Sequence, residues 1–212
     1  MRILIFTYGD YKNESFYKSL LEEVDLIICA DGGGNYLYAW GIKPDILIGD
    51  MDSISEEALR HFEGSGVDIK RFPRDKDYTD SHLALLEALK FSSSEVIMIG
   101  GLGDRMDHNI ANIHLLYLAL KKGVKAKLVN ERYEAIVLEE GENRVEISGE
   151  KISLLPLTSE VIFSRSKGLR WRLDDLTFSL ENPIGISNEP LGKEVIIDVK
   201  KGYAILFQVR EG

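Results

Sequence analysis

Two textures of apolar and polar residues divide the chain. Up to about residue 130, short apolar runs alternate with segments of helical period. RILIFT, VDLIICA, DILIG, VDIKRF, EVIMIG and KAKLVN read as strands. Between them, Leu83, Leu86 and Leu89 in SHLALLEALKF recur at i, i+3 and i+6. Ile110, Ile113, Tyr117 and Leu120 mark the apolar side of a further helix in DHNIANIHLLYLALKK. Alternation of this kind predicts, over residues 1–130, an α/β domain: an open, mostly parallel sheet with helices on both faces. From 131 to 212 the helical period is gone. AIVLEE, NRVEIS, KISLLPL, EVIFSR, LTFSL and KEVIIDVKKGYAILFQV are short, β-branched and separated by Gly, Asn or Pro. They predict a small all-β sandwich, with a hairpin turn at Lys200–Lys201–Gly202. No repeat, low-complexity tract or flexible linker separates the two.

Composition narrows the function classes. The formal net charge of −9 is shared between the halves, so no basic face is available for a nucleic-acid backbone. The one cysteine, Cys29, lies inside an apolar run and reads as a core residue in a reducing compartment. The apolar start MRILIFTYGD is too short for a signal peptide, and no run approaches the ~20 residues of a membrane helix. The expectation is a cytoplasmic protein with no membrane partner.

Candidate chemistry gathers at strand ends, where open parallel sheets bind ligands. VDLIICA is followed by Asp31-Gly32-Gly33-Gly34, and DILIG by Asp50 and Asp52. VDIKRF leads into PRDKDYTD, with Lys76, Asp77, Thr79 and Asp80. EVIMIG leads into Gly101-Leu102-Gly103-Asp104-Arg105-Met106-Asp107-His108. One such loop is an ordinary turn and cap. Four on one edge crowd carboxylates that repel one another unless a cation sits among them. A hard, oxygen-seeking ion such as magnesium fits that donor set, whereas the four histidines form no zinc-binding pair. The glycines permit close backbone approach to phosphate, and Lys76 and Arg105 add positive charge. No P-loop is present, and GGLGDR is not a dinucleotide fingerprint. His61 and His114 read as helix residues, and His108 as a loop residue.

The motifs ADGG (30–33), GDMDS (49–53), KDYTD (76–80), GGLGDRMDH (100–108) and SNE (187–189), in this order, resemble those of the thiamin pyrophosphokinase family. The likeness covers the first module nearly whole and rests on GLRWRL (168–173) and ISNE in the second. It implies transfer of the pyrophosphoryl group of ATP to thiamin, giving AMP and thiamin diphosphate, with Mg2+, in a homodimer whose sites lie at the subunit interface. The first domain would carry catalysis, nucleotide and metal; the second, thiamin binding and dimerisation. By that resemblance Asp50, Asp52 and Asp80 are metal ligands and, with Arg105 and Asp107, the catalytic set; Asp80 and Asp107 both remain candidates for the proton acceptor. Asp31, Gly32, Gly33, Lys76, Asp77, Thr79, Gly103 and His108 fall on the ATP side, and Asp104 reads as solvated. By the same resemblance Trp171 would stack the thiamin pyrimidine of the other subunit's site, with Ser187 and Asn188 as polar contacts, while strand alternation puts Arg170 and Arg172 on the opposite face. Trp40 reads as core.

Two other classes compete. D-x-D-S after a buried strand is similar to the nucleophile and acid of haloacid-dehalogenase-like phosphatases, in which Asp50 would become an aspartyl-phosphate. That motif usually ends the first strand rather than the third. A non-catalytic nucleotide sensor would bind ATP without turnover and would not require so many carboxylates.

Overall fold

The computed structural model describes residues 1–211, which fall into two compact units divided between Asn130 and Glu131. In the first, six strands lie parallel: β1 (Arg2–Phe6), β2 (Leu26–Ala30), β3 (Ile46–Gly49), β4 (Asp68–Arg71), β5 (Glu95–Ile99) and β6 (Lys125–Val129). Their spatial order is β4-β3-β2-β1-β5-β6. The chain steps outward from β1 to β4, then returns to β1's other side with β5. The crevice beyond the carboxyl ends of β1 and β5 is therefore the point where strand order reverses, the expected ligand position in such sheets. Every expected strand of this unit is present.

Burial follows the double-sided packing of a parallel sheet, whose strands are apolar on both faces. Ile3, Leu4, Ile5 and Phe6 of β1 are wholly buried. Leu4, Phe6, Cys29, Leu47, Ile97 and Ile99 meet Tyr17 of α1 (Glu14–Leu21), Leu37 of α2 (Gly34–Ala39) and Phe62 of α3 (Glu56–Gly64) on one face. On the other, α4 (Asp80–Ala88) packs over β1, β2 and β3, and α5 (Met106–Lys121) over β6. Trp40 joins the core, edge-on to Phe6 and Tyr11. Three helices start at side-chain caps: Asn13 accepts from the Phe16 amide, Ser55 from Ala58 and Thr79 from His82. Each such cap is worth about 1 kcal/mol.

Two helix faces differ from the sequence reading. The buried stripe of α5 is Asn112, Leu115, Leu116 and Ala119, while Ile110 is exposed and Ile113, Tyr117 and Leu120 are half-buried. In α4, Leu83 is buried with Ala84, Leu85, Glu87 and Ala88, and Leu86 and Leu89 stand at the side. Both helices are apolar over most of their circumference, so periodicity does not select the face. Small residues allow close approach, and Asn112 enters the interior by donating to the Gly101 carbonyl (2.8 Å).

The second unit is antiparallel: β7 (Tyr133–Leu138), β13 (Ala204–Val209) and β9 (Lys151–Pro156) pair side by side. A separate four-stranded sheet runs β11 (Thr177–Ser179), β10 (Glu160–Lys167), β12 (Glu194–Lys201), β8 (Gly141–Glu146). Leu154 and Leu206 from the first set and Phe163, Val195 and Ile197 from the second share one core. The expected hairpin is absent. β12 and β13 belong to different sheets, and the turn at Lys200–Gly202 carries the chain from one to the other. Gly202 (φ +87) lies against the Glu160 carbonyl and Thr158, where a side chain would collide, and the Leu157 amide donates to the Tyr203 carbonyl. Among the described residues no helix is long and apolar enough to cross a membrane.

Candidate active site

Three carboxylates converge beyond the carboxyl ends of β2 and β3. Asp31 follows β2, Asp50 follows β3, and Asp80 opens α4; one oxygen from each lies within 4.8 Å of the others. Gly49 makes the approach possible. Its φ of +148 suits glycine, and a Cβ there would come within 2.9 Å of the Asp31 Cβ and 3.2 Å of the Asp80 carboxyl carbon. Asp31 itself takes a positive φ of 34. Its Oδ2 accepts from the Ser53 amide (3.1 Å), which ties the β2 turn to the β3 loop.

Electrostatics at this cluster are divided. Lys76 places Nζ 2.8 Å from Asp50 Oδ2 and 3.2 Å from Asp80 Oδ1. Its hydrogen bond holds the Asp50 carboxyl below the usual range. Burial pushes Asp80 up despite Lys76, and burial also raises Asp31, aided by the charges of Asp80 and Asp50. Asp31 Oδ1 is buried without a hydrogen bond, and buried Asp80 Oδ1 has the Lys76 ammonium 3.2 Å away. An unsatisfied carboxylate oxygen in an all-oxygen donor set matches what a hard divalent cation takes. Asp52 stands outside this group. It is exposed, accepts from the Ser53 hydroxyl (2.9 Å), and has Arg74 Nε 3.6 Å away. Asp77 is exposed, and Thr79 serves as the α4 cap.

A cleft of about 400 Å³ opens at the β1/β5 crevice, lined by Thr7, Tyr8, Tyr36, Gly100, Gly101, Gly103, Arg105, His108 and Asn112. The loop after β5 is pinned by Asn109, whose Oδ1 accepts from the Gly103 amide (2.9 Å) and whose Nδ2 donates to the Gly103 carbonyl (2.7 Å). Arg105 makes a two-bond pair with Asp107 (3.1 and 2.6 Å), which lowers that carboxyl to about 2. His108 falls in the first turn of α5 rather than in a loop. Asp104 is exposed.

In the second unit a hollow of about 210 Å³ brings together Trp171, Ser187 and Asn188 with Phe178, Ile184 and Ile186. The segment around Trp171 is not a strand, because Leu169 forms only an isolated bridge to Pro190. Arg170 accordingly does not alternate away: its guanidinium lies 5.1 Å from the Trp171 ring centre, a cation–π position. Buried Asn188 accepts from the Trp171 amide (3.1 Å) and donates to its carbonyl (2.6 Å), fixing the backbone while the ring stays half exposed. A larger hollow of about 490 Å³, lined in part by Arg165, Lys167 and Arg172, contains none of the expected residues.

Asp31, expected at a nucleotide-binding turn, is the third carboxylate of the cluster, and its place at the end of an apolar strand is the sequence signal for it. Tyr8, Tyr36, Asn109 and Asn112 carried no motif at all.

Comparisons with known proteins agree with this geometry. Residues 17–128 match the family model "Thiamin pyrophosphokinase, catalytic domain", and residues 136–204 match "Thiamin pyrophosphokinase, vitamin B1 binding domain". The thiamine pyrophosphokinase of Bacillus subtilis is 30% identical over 189 residues, covering 88% of each chain. A rice thiamine pyrophosphokinase is 28% identical over 82% of this chain and 75% of its own. The crystal structure of the Bacillus subtilis protein superposes with a TM-score of 0.89 at 27% identity over the whole of both chains. The Candida albicans enzyme shares the fold, with a TM-score of 0.84 at 19% identity over 98% of this chain and 90% of its own. Neither the aspartyl-phosphate phosphatase nor the non-catalytic sensor finds support among these relatives, and the chain belongs to the thiamin pyrophosphokinase family.

Proposed function

We propose that this protein transfers the pyrophosphoryl group of ATP to the hydroxyl of thiamin, releasing AMP and thiamin diphosphate. The observation that carries the reading is the convergence of Asp31, Asp50 and Asp80 at the strand ends of a chain whose two units match the family's two domain models.

The bound phosphates lie between the acid cluster and the cleft after β5. Asp50, Asp52 and Asp80 would hold Mg2+, with Asp31 as a fourth carboxylate. Magnesium held there would supply the positive charge that screens the phosphates from an incoming alcohol oxygen. Gly32, Gly33 and Gly103 admit phosphate oxygens close to the backbone, with Asp77, Thr79 and His108 bordering the nucleotide. Lys76 and Arg105 stabilise charge as the hydroxyl oxygen bonds to the β-phosphorus and the bond to the α-phosphate oxygen breaks, AMP leaving with the electron pair. The hydroxyl proton passes to an aspartate. Asp80, which stands beside Asp50 in the acid cluster, suits this better than Asp107, both of whose oxygens are held by Arg105.

Thiamin's pyrimidine stacks on Trp171, with Ser187 lining the same hollow and Asn188 holding the Trp171 backbone. The protein acts as a homodimer in which Trp171 of one subunit serves the acid cluster of the other. Exposed Ile184 and Ile186 in the lining of that hollow favour an apolar interface. A single buried thiol at Cys29 fits the cytoplasm. Incubation with ATP, magnesium and thiamin tests the reading: AMP and thiamin diphosphate must form together, and only when thiamin is present.

A further inference from the structure

Tyr8 is an aromatic side chain that the core does not use. It follows β1 directly and is 66% exposed, yet it is not loose. One part of its ring lies over Gly32, where an added Cβ would stand 2.8 Å from the ring and 3.0 Å from the Ser53 Cβ. The glycine at 32 thus leaves a flat backbone shelf beneath the ring. Tyr36, its neighbour at 6.4 Å between ring centres, is clamped from behind by Tyr11 at 4.7 Å and Trp40 at 6.2 Å. Both rings line the β1/β5 cleft. Its floor is tight, for a Cβ on Gly9 would collide with the Gly100 carbonyl.

From this arrangement we infer that Tyr8, walled by Tyr36, forms the stacking subsite for the purine base of the nucleotide substrate. The inference rests on the proposed ATP-dependent reaction and deepens it. A supported ring with an open face is what a neutral heteroaromatic ring stacks on. The remaining lining favours a nucleotide over the vitamin. Gly100, Gly101 and Gly103 offer close backbone approach, and Arg105 and His108 offer cationic or donor groups, all suited to phosphates attached to that base. The vitamin's ring already has its own aromatic contact in Trp171 of the second unit. Tyr8 has no hydrogen-bond partner among the described residues, so its hydroxyl plays no structural part that removal of the ring would confound.

The test separates base from phosphate. Calorimetric titration with AMP and with ribose 5-phosphate is made on the parent, Tyr8→Ala and Tyr8→Phe proteins, alongside steady-state kinetics with ATP and thiamin. Tyr8→Ala weakens AMP about tenfold, the scale of one lost base–aromatic stack, and leaves ribose 5-phosphate binding unchanged. KM for ATP rises by a similar factor while KM for thiamin holds, and Tyr8→Phe, which keeps the ring, restores most of the loss. Equal AMP affinity in Tyr8→Ala and parent overturns the subsite. A rise in the thiamin KM in place of the ATP KM also overturns it, assigning the platform to the vitamin. A parent protein that forms no thiamin diphosphate, yet binds AMP in a Tyr8-dependent way, refutes the proposed reaction and leaves the base subsite standing.

Discussion

Lys76 Nζ lies 2.8 Å from Asp50 Oδ2, and both side chains are 11% exposed. The ammonium therefore neutralises the acid cluster from inside, where a divalent cation would do the same. Lys76→Met removes that charge and leaves Asp31, Asp50 and Asp80 facing one another. Without metal the variant melts below the parent by several degrees, on the scale of roughly 2–4 °C per kcal/mol at this chain length. Its Mg2+ affinity, read by titration calorimetry, rises about tenfold because no ammonium has to be displaced. Weaker magnesium binding would show that Lys76 supports the metal instead of standing in for it.

The aspartates divide by what they touch. Asp50→Asn and Asp80→Asn each lower turnover by at least about a hundredfold, the loss expected of groups that stabilise transferring charge. In the absence of metal and nucleotide both variants remain folded. Asp52→Asn lowers turnover comparably but leaves the metal-free melting temperature unchanged, since its exposed carboxylate accepts from Ser53 and lies near Arg74 at the surface. Near-normal turnover in Asp52→Asn would confine the metal set to Asp31, Asp50 and Asp80.

Arg105 is paired with Asp107 through two hydrogen bonds, but both side chains are about two-thirds exposed. Such a pair contributes little to folding. Arg105→Lys keeps the charge and loses the planar fork, so thermal stability holds while turnover falls about tenfold or more. Unchanged turnover in this variant would assign Arg105 to the ion pair alone.

Glu87 anchors α4, the helix that begins with Asp80. It is 4% exposed and accepts from Lys70 of β4 (2.7 Å) and from Lys90 (2.8 Å). Burial alone would raise its carboxyl, but the two ammonium groups overcome this and the net position is lowered. A lowered carboxyl stabilises the fold above the unfolded-state value near 4.3 and loses that contribution as pH falls through the folded value. Glu87→Gln is therefore less stable than the parent at pH 7. The gap begins to narrow as pH falls below the unfolded-state value near 4.3 and closes once the folded Glu87 is itself protonated. A gap independent of pH, measured by denaturant unfolding, would contradict the charge pairing.

The parts of the molecule legible in the sequence are those with strong local signals. The six parallel strands stood out because apolar runs buried on both faces are interrupted by turn residues, and four of their ends carried the Asp and Gly loops. The burial side of α5 was not legible, since a helix apolar nearly all round has no period to read. The Lys200–Gly202 turn looked like a hairpin, yet its strands join different sheets. Gly202's contact with Glu160 and Thr158 comes from distant chain and leaves no local mark. Arg170 over Trp171 was missed for a similar reason: GLRWRL alternates like a strand, but Asn188 bonds to the Trp171 backbone and shapes it as a loop. Asp31 joined the cluster through sheet order, which places β2 beside β3.

The most direct test follows the phosphorus. The protein is incubated with magnesium, thiamin and ATP labelled at its β-phosphorus, and the products are separated. The account predicts label in thiamin diphosphate, unlabelled AMP in equal amount, and neither product when thiamin is omitted. Label appearing in ADP or in released pyrophosphate, with none attached to thiamin, would contradict it.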